Sequence, residues 1–127
     1  MLGDKDAIAT IAVKSVEVAK EFYVGKLGLK QEPSEEPVVL VCKSGNSVIF
    51  IYESQYAGTN KATSCTWAVD DVQEVVQALK SKGIAFEHYD LPNTTREGDV
   101  HVSGKTKVAW FKDPDGNILS VVNQTRA

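Results

Sequence analysis

Trp110-Phe111-Lys112-Asp113-Pro114-Asp115-Gly116-Asn117 is the stretch on which the reading of the fold turns. Its second half is built for a tight turn. Asp side chains cap nearby amides, Pro fixes φ, and Gly and Asn tolerate awkward dihedrals. Pro at the second position and Gly at the fourth suit a type I turn. The flanking segments, Thr106 to Lys112 and Asn117 to Asn123, read as the two strands of a hairpin that closes across it.

Working back from this hairpin, Cys65 to Val69 reads as a strand. Asp70 or Asp71 then caps a helix whose apolar face is Val72, Val75, Val76 and Leu79, and Gly83 ends that helix. Ile84 to Asp90 reads as a strand. Leu91 to Lys105 is the longest irregular stretch, with Val100-His101-Val102 as a possible short strand inside it. About 56 residues earlier the same order occurs. Ile8 to Val13 is a β-branched strand, Ser15 stands at a helix N-cap position, and Val16, Ala19, Phe22 and Tyr23 follow on one face. Gly25 and Gly28 stop that helix. Leu29 to Gln31, Val38 to Cys42 and Ser47 to Glu53 are strands. An acidic loop, Glu32 to Pro37, precedes the second of these, and a turn at Lys43 to Asn46 joins the last two. Ser54 to Thr63 reads as the linker. The spacing therefore predicts an α+β fold of two βαβββ repeats, divided into residues 1–57 and 58–127. Each sheet would cover a helix on one face and curve on the other.

Composition bounds the function. A chain of 127 residues with 43% hydrophobic and 24% charged residues is one ordinary globular domain or two small repeats. A net charge of −3 argues against nucleic acid as a partner, and no basic run suggests a membrane surface. The N-terminal Met1 to Asp6 lacks an apolar signal core, and no apolar run approaches spanning length. Cys42 and Cys65 stand apart with no CxxC spacing and read as reduced thiols. The expected compartment is the cytoplasm.

Phe22-Tyr23, Leu27-Gly28-Leu29 and the Trp110 to Asn117 stretch together make the chain resemble the vicinal oxygen chelate superfamily, which includes glyoxalase I, extradiol dioxygenases, fosfomycin-resistance proteins and bleomycin-binding proteins. The resemblance covers almost the whole sequence. It implies a curved mixed sheet, a half-barrel with the helices on its outer face and a cavity between the repeats, completed in a homodimer. It also implies a metal held by His and Glu at four set positions. Counting from Val13, Val69 and Gly116, and aligning the first repeat to the second, places those positions at Ile8, Phe50, Ser64 and Ser120. Zn, Ni, Mn or Fe(II) needs imidazole, carboxylate or thiolate donors, so no metal and no other cofactor is expected.

Strand alternation then puts Phe50, Tyr52, Thr66, Trp110 and Ser120 toward the cavity as candidate ligand contacts, with Trp67 under the helix. An aromatic-lined pocket suits a flat or apolar small molecule. Glu87, His88 and Tyr89 are the candidate catalytic groups, since Phe86 to Asp90 is the one place where Glu, His, Tyr and Asp cluster. The expected function is small-molecule binding without a metal, like the bleomycin-binding branch, with Leu91 to Lys105 as a lid. Two alternatives stand beside it. One is a metal-dependent lyase or dioxygenase with an atypical site, using Glu87, His88 and His101. The other is a metal-free acid–base enzyme using Glu87, His88 and Tyr89. Gly25 to Gly28 lacks the spacing of a phosphate loop and ends a helix instead of opening one.

Overall fold

In the first repeat, Ala9–Val13 forms strand β1, with Ile11 and Val13 buried and Thr10 and Ala12 on the other face. Ser15, extended at φ −144°, caps helix α1 (Val16–Lys20) by accepting a hydrogen bond from the Val18 amide. The Glu53 carboxylate accepts from the Val16 amide at 3.0 Å, tying the helix start to the sheet. Glu21–Lys26 continues as a π-helical segment. Its wider turn accommodates two neighbouring buried aromatics, Phe22 and Tyr23, whose rings meet edge-on at 5.1 Å. The chain then forms β2 (Lys30–Glu32), β3 (Val39–Ser44) and β4 (Ser47–Glu53). A two-residue turn joins β3 to β4, with Gly45 at φ 57°. The strand order is β1-β4-β3-β2, with β1 parallel to β4 and the other pairs antiparallel.

This structure is a computed structural model, which describes residues 1–123; positions 124–127 of the expected second module lie outside the described residues. It divides into two compact units between Thr59 and Asn60. The second unit starts with β5 (Thr63–Val69), and Asp71, not Asp70, caps α2 (Val72–Lys80) by accepting from the Glu74 amide at 3.1 Å. Val72, Val76 and Leu79 are buried against the sheet. Next come β6 (Phe86–Glu87), β7 (Thr95–Glu97), β8 (Val100–Ser103), β9 (Thr106–Lys112) and β10 (Ile118–Asn123). The order is β5-β10-β9-β8-β7, with β6 also on β9. The β9–β10 turn is held by Asp113, whose Oδ1 accepts from the amides of Asp115 and Asn117 and whose Oδ2 accepts from Asn117 Nδ2.

Two expectations from the sequence need correction. The strand expected over Ile84 to Asp90 is confined to Phe86–Glu87, so His88 and Tyr89 follow it as irregular chain. The stretch Leu91 to Lys105, expected as an irregular lid, holds the β7–β8 hairpin, with Gly98 in its turn at φ 64°. β6 and β8 occupy successive lengths of the same edge of β9. The reason is hydrogen bonding: β9 offers a full row of amides and carbonyls along that edge, and β8 satisfies the part that β6 leaves open. In each unit the helix covers one sheet face, and the α+β reading with two βαβββ repeats holds, the second with an added hairpin.

Candidate functional site

The helix-free face of the second unit's sheet is built row by row from strand register. Ser120 on β10 stands between Thr66 on β5 and Trp110 on β9, and Glu87 on β6 follows Trp110. Directly paired residues share a face, so Thr66, Ser120 and Trp110, three of the expected ligand contacts, come together. Ser120 is buried, and its hydroxyl lies 2.7 Å from that of Thr66. The opposite residues, Ala109, Phe111, Leu119 and Val121, are buried on the helix side. The alternation therefore turns Trp110 to the helix-free face and Phe111 to the core.

Around Trp110 the rings are close. Its indole Nε1 donates to Thr63 Oγ1 at 3.2 Å. Tyr89 meets it edge-on at 5.2 Å and His101 at 4.8 Å. His101 is 1% exposed. Its Nε2 accepts a hydrogen bond from the Tyr89 amide at 3.0 Å. That acceptance requires a lone pair on Nε2, so Nδ1 carries the ring proton. His101 Nδ1 and the Tyr89 hydroxyl are both buried without a hydrogen-bond partner. Arg96 on β7 lies directly opposite His101, which in turn lies opposite Val108 on β9, so Arg96 belongs to the same face.

The three candidate catalytic groups part company. Glu87 pairs with Lys112 at 3.4 Å. His88 points to Asp99, with Nε2 2.7 Å from Oδ1, while Lys80 Nζ lies 2.8 Å from Oδ2. The hydrogen bonds from Lys80 and then His88 hold the Asp99 carboxyl below its ordinary range. Tyr89 joins His101 and Trp110. These three neighbours in sequence thus meet different partners.

Phe50 and Tyr52 lie in the first unit. Phe50 stands between Thr10 and Val41, and Tyr52 between Ala12 and Val39, on that sheet's helix-free face. A shallow depression at the end of that sheet, lined by Lys14, Glu53, Ser54 and Gln55, was not expected from the sequence. Its carboxylate is already engaged by the Val16 amide.

The metal implied by the resemblance does not fit. Ile8 precedes β1, Phe50 is apolar, Ser120 is bonded to Thr66, and Ser64 is the extra residue where the β5–β10 register shifts. None supplies imidazole, carboxylate or thiolate. Burial pushes the Cys42 and Cys65 thiols up, away from the metal-binding thiolate form. Among the described residues no group of three or more His, Cys, Asp or Glu side chains is placed to hold an ion, and the rings of His88 and His101 lie 6.4 Å apart.

His101 was a candidate in the sequence only as a member of the alternative metal set with Glu87 and His88; the structure places it instead on β8, buried beside Trp110. Arg96 and Asp99 carried no signal in the sequence.

The sequence model of the Glyoxalase/Bleomycin resistance protein/Dioxygenase superfamily matches residues 6–121. Among solved structures, the chain is similar to a glyoxalase family protein from Enterococcus faecalis, at 22% identity and TM-score 0.71, covering 96% of this chain and 99% of that one. It is similar to a lactoylglutathione lyase from Agrobacterium tumefaciens, at 16% identity and TM-score 0.70, covering 95% and 94%. It is also similar to an antibiotic binding protein from Streptomyces sp. CB03234, at 20% identity and TM-score 0.65, covering 91% and 92%. At these identities the likeness is one of fold. No curated protein matches the sequence. Among the described residues, no helix is long and apolar enough to cross a membrane.

Proposed function

Because the chain belongs to the Glyoxalase/Bleomycin resistance protein/Dioxygenase superfamily, we propose that it binds a small molecule and does so without a metal. One observation carries the reading. At the position where the resemblance implies a carboxylate ligand, Ser120 is buried and bonded to Thr66, and the same face presents Trp110 with Tyr89 and His101 packed against it in T-shaped contact. An aromatic surface with a few convergent polar groups suits a flat organic molecule. The antibiotic binding protein of the same fold supports a binding role. Trp110, Thr66 and Ser120 would form the floor, while Phe50 and Tyr52 offer a second apolar surface on the first unit.

Acid–base catalysis by Glu87, His88 and Tyr89 has weaker support, since Glu87 and His88 are engaged by Lys112 and Asp99.

The test is a titration of nitrogen-labelled protein with a panel of flat aromatic compounds, following the two tryptophan indole N–H signals. Binding at the proposed face moves the Trp110 signal, and Trp110→Ala abolishes binding while the protein stays folded. If no compound moves Trp110, or if ligands bind Trp110→Ala unchanged, the reading fails.

A further inference from the structure

We propose that Arg96, His101 and Tyr89 form the anion-recognising end of the Trp110 site, and that its ligand is a planar aryl carboxylate. This inference rests on the small-molecule reading and narrows it to a substrate class.

The first observation is the pair of orphans. His101 Nδ1–H and the Tyr89 hydroxyl are buried without partners, 99% of His101 being covered by protein. Native structures keep very few such groups, because each has given up water and gained nothing for it. Both belong to rings packed against Trp110 in T-shaped contact. Both can donate, and His101 Nδ1, as the protonated nitrogen, can do nothing else. In the proposed complex, one acceptor group arriving beside Trp110 takes both hydrogens.

The second observation is charge. Arg96 sits across from His101 in the β7–β8 ladder, on the same face, and its side chain is exposed. A guanidinium offers several donors, no acceptor and a permanent positive charge. Glu87, the one acidic residue in the Trp110 row, is offset by Lys112 at 3.4 Å. Donors of one sense together with a cation select against a cationic head group. A neutral apolar molecule would leave the donors unpaired. A carboxylate accepts from all three, while its aromatic body lies on the indole.

The third observation is access. Tyr89 lies in irregular chain after β6, and its amide is anchored on His101 Nε2. Tyr89 belongs to no strand ladder, and its side chain must turn for a ligand to reach His101 Nδ1.

The experiment titrates the full chain with 2-naphthoate and with naphthalene-2-carboxamide, which has the same shape without the charge. Dissociation constants are read from the Trp110 indole signal, with Trp67 as the internal control. The expected result is 2-naphthoate binding about tenfold tighter than the amide, a gap that Arg96→Gln closes. Tyr89→Phe separates recognition from packing. It deletes an unpaired buried hydroxyl, so it raises Tm; recognition further requires that it weaken 2-naphthoate. Equal affinity for acid and amide, or a gap that survives Arg96→Gln, overturns the inference and leaves the small-molecule reading standing. So does a Tyr89→Phe protein that gains stability and binds 2-naphthoate unchanged. If neither compound moves the Trp110 signal, the inference and the broader reading fall together.

Discussion

Asp99→Asn probes the contact that fastens the β7–β8 hairpin to the rest of its unit. The Asp99 carboxylate stands at the hairpin's turn and receives Lys80 from the last turn of α2 at 2.8 Å and His88 at 2.7 Å. Exposed ion pairs contribute about 0.2–1 kcal/mol each. Lys80 and His88 are 47% and 42% exposed, so neither pair is strong, but the carboxylate they share is only 16% exposed and both distances are short. The asparagine keeps the shape and one acceptor and loses the charge. The expected loss is about 1 kcal/mol, or roughly 3–5 °C in Tm for a chain of this size. The pH dependence has a definite sign. Lys80 and His88 lower the carboxyl's folded-state pKa below its ordinary 3.8, so its stabilisation is present above that value and is lost as pH falls through the folded value. The wild-type advantage over Asp99→Asn should be full near neutral pH, should fade below about pH 4, and should shrink in 1 M salt. Thermal denaturation followed by circular dichroism at several pH values and two salt concentrations measures it. Equal Tm values at neutral pH and low salt would refute the latch, and so would a difference that does not shrink as the pH is lowered through the acid range.

The remaining expectations are simpler. Phe111→Ala removes a ring buried against Phe86 at 5.5 Å and should cost about 3–5 kcal/mol, read by urea denaturation; a loss under about 1 kcal/mol would mean that Phe111 is not a core residue. Asp71→Ala deprives the Glu74 amide of its cap and should cost about 1 kcal/mol, whereas Asp70→Ala should cost far less. Titration of the metal-free protein with Zn, Ni, Mn and Fe(II) should leave Tm unchanged, because Ile8, Phe50, Ser64 and Ser120 offer no ligand set. A saturable rise at one equivalent would reverse the conclusion.

The parts of this fold that were legible in the sequence are those specified locally. Ser15 and Asp71 announce helix starts through short side chains that accept amide hydrogens. Asp113 to Asn117 announces a turn, and period-two alternation separated Trp110 from Phe111 and Ser120 from Leu119. What escaped depends on partners distant in sequence. Thr95-Arg96-Glu97 is wholly polar and exposed, and it is a strand because β8 pairs with it, not because of its own pattern. His88 and Tyr89 continue the pattern of a strand, but the β9 edge beyond β6 is taken by β8. The π-helical turn at Glu21–Lys26 answers to the packing of Phe22 and Tyr23, which helical periodicity alone does not encode. For the candidate site, the aromatic floor was readable from alternation, while its polar end was not. Nothing in the sequence said that His101 would lose one ring nitrogen to a backbone amide and keep the other unsatisfied.

The place of β10 in its sheet has a consequence for the order of folding. It lies between β5 and β9, parallel to one and antiparallel to the other. Among the described residues, β5 has no other neighbour in that sheet. Thr66 must therefore wait for Ser120, 54 residues further along, before its ladder can close. The hairpins β7–β8, β8–β9 and β9–β10 close over a few residues each and assemble early, as short loops do. On this topology β5 and α2 are expected to dock last, when the completed meander offers β10 as a template. In such a sequence of events the Trp110 surface exists before the floor provided by Thr66, so an early intermediate would expose an aromatic patch that the native state partly covers. That makes ligand present during refolding a candidate chaperone for its own binding site.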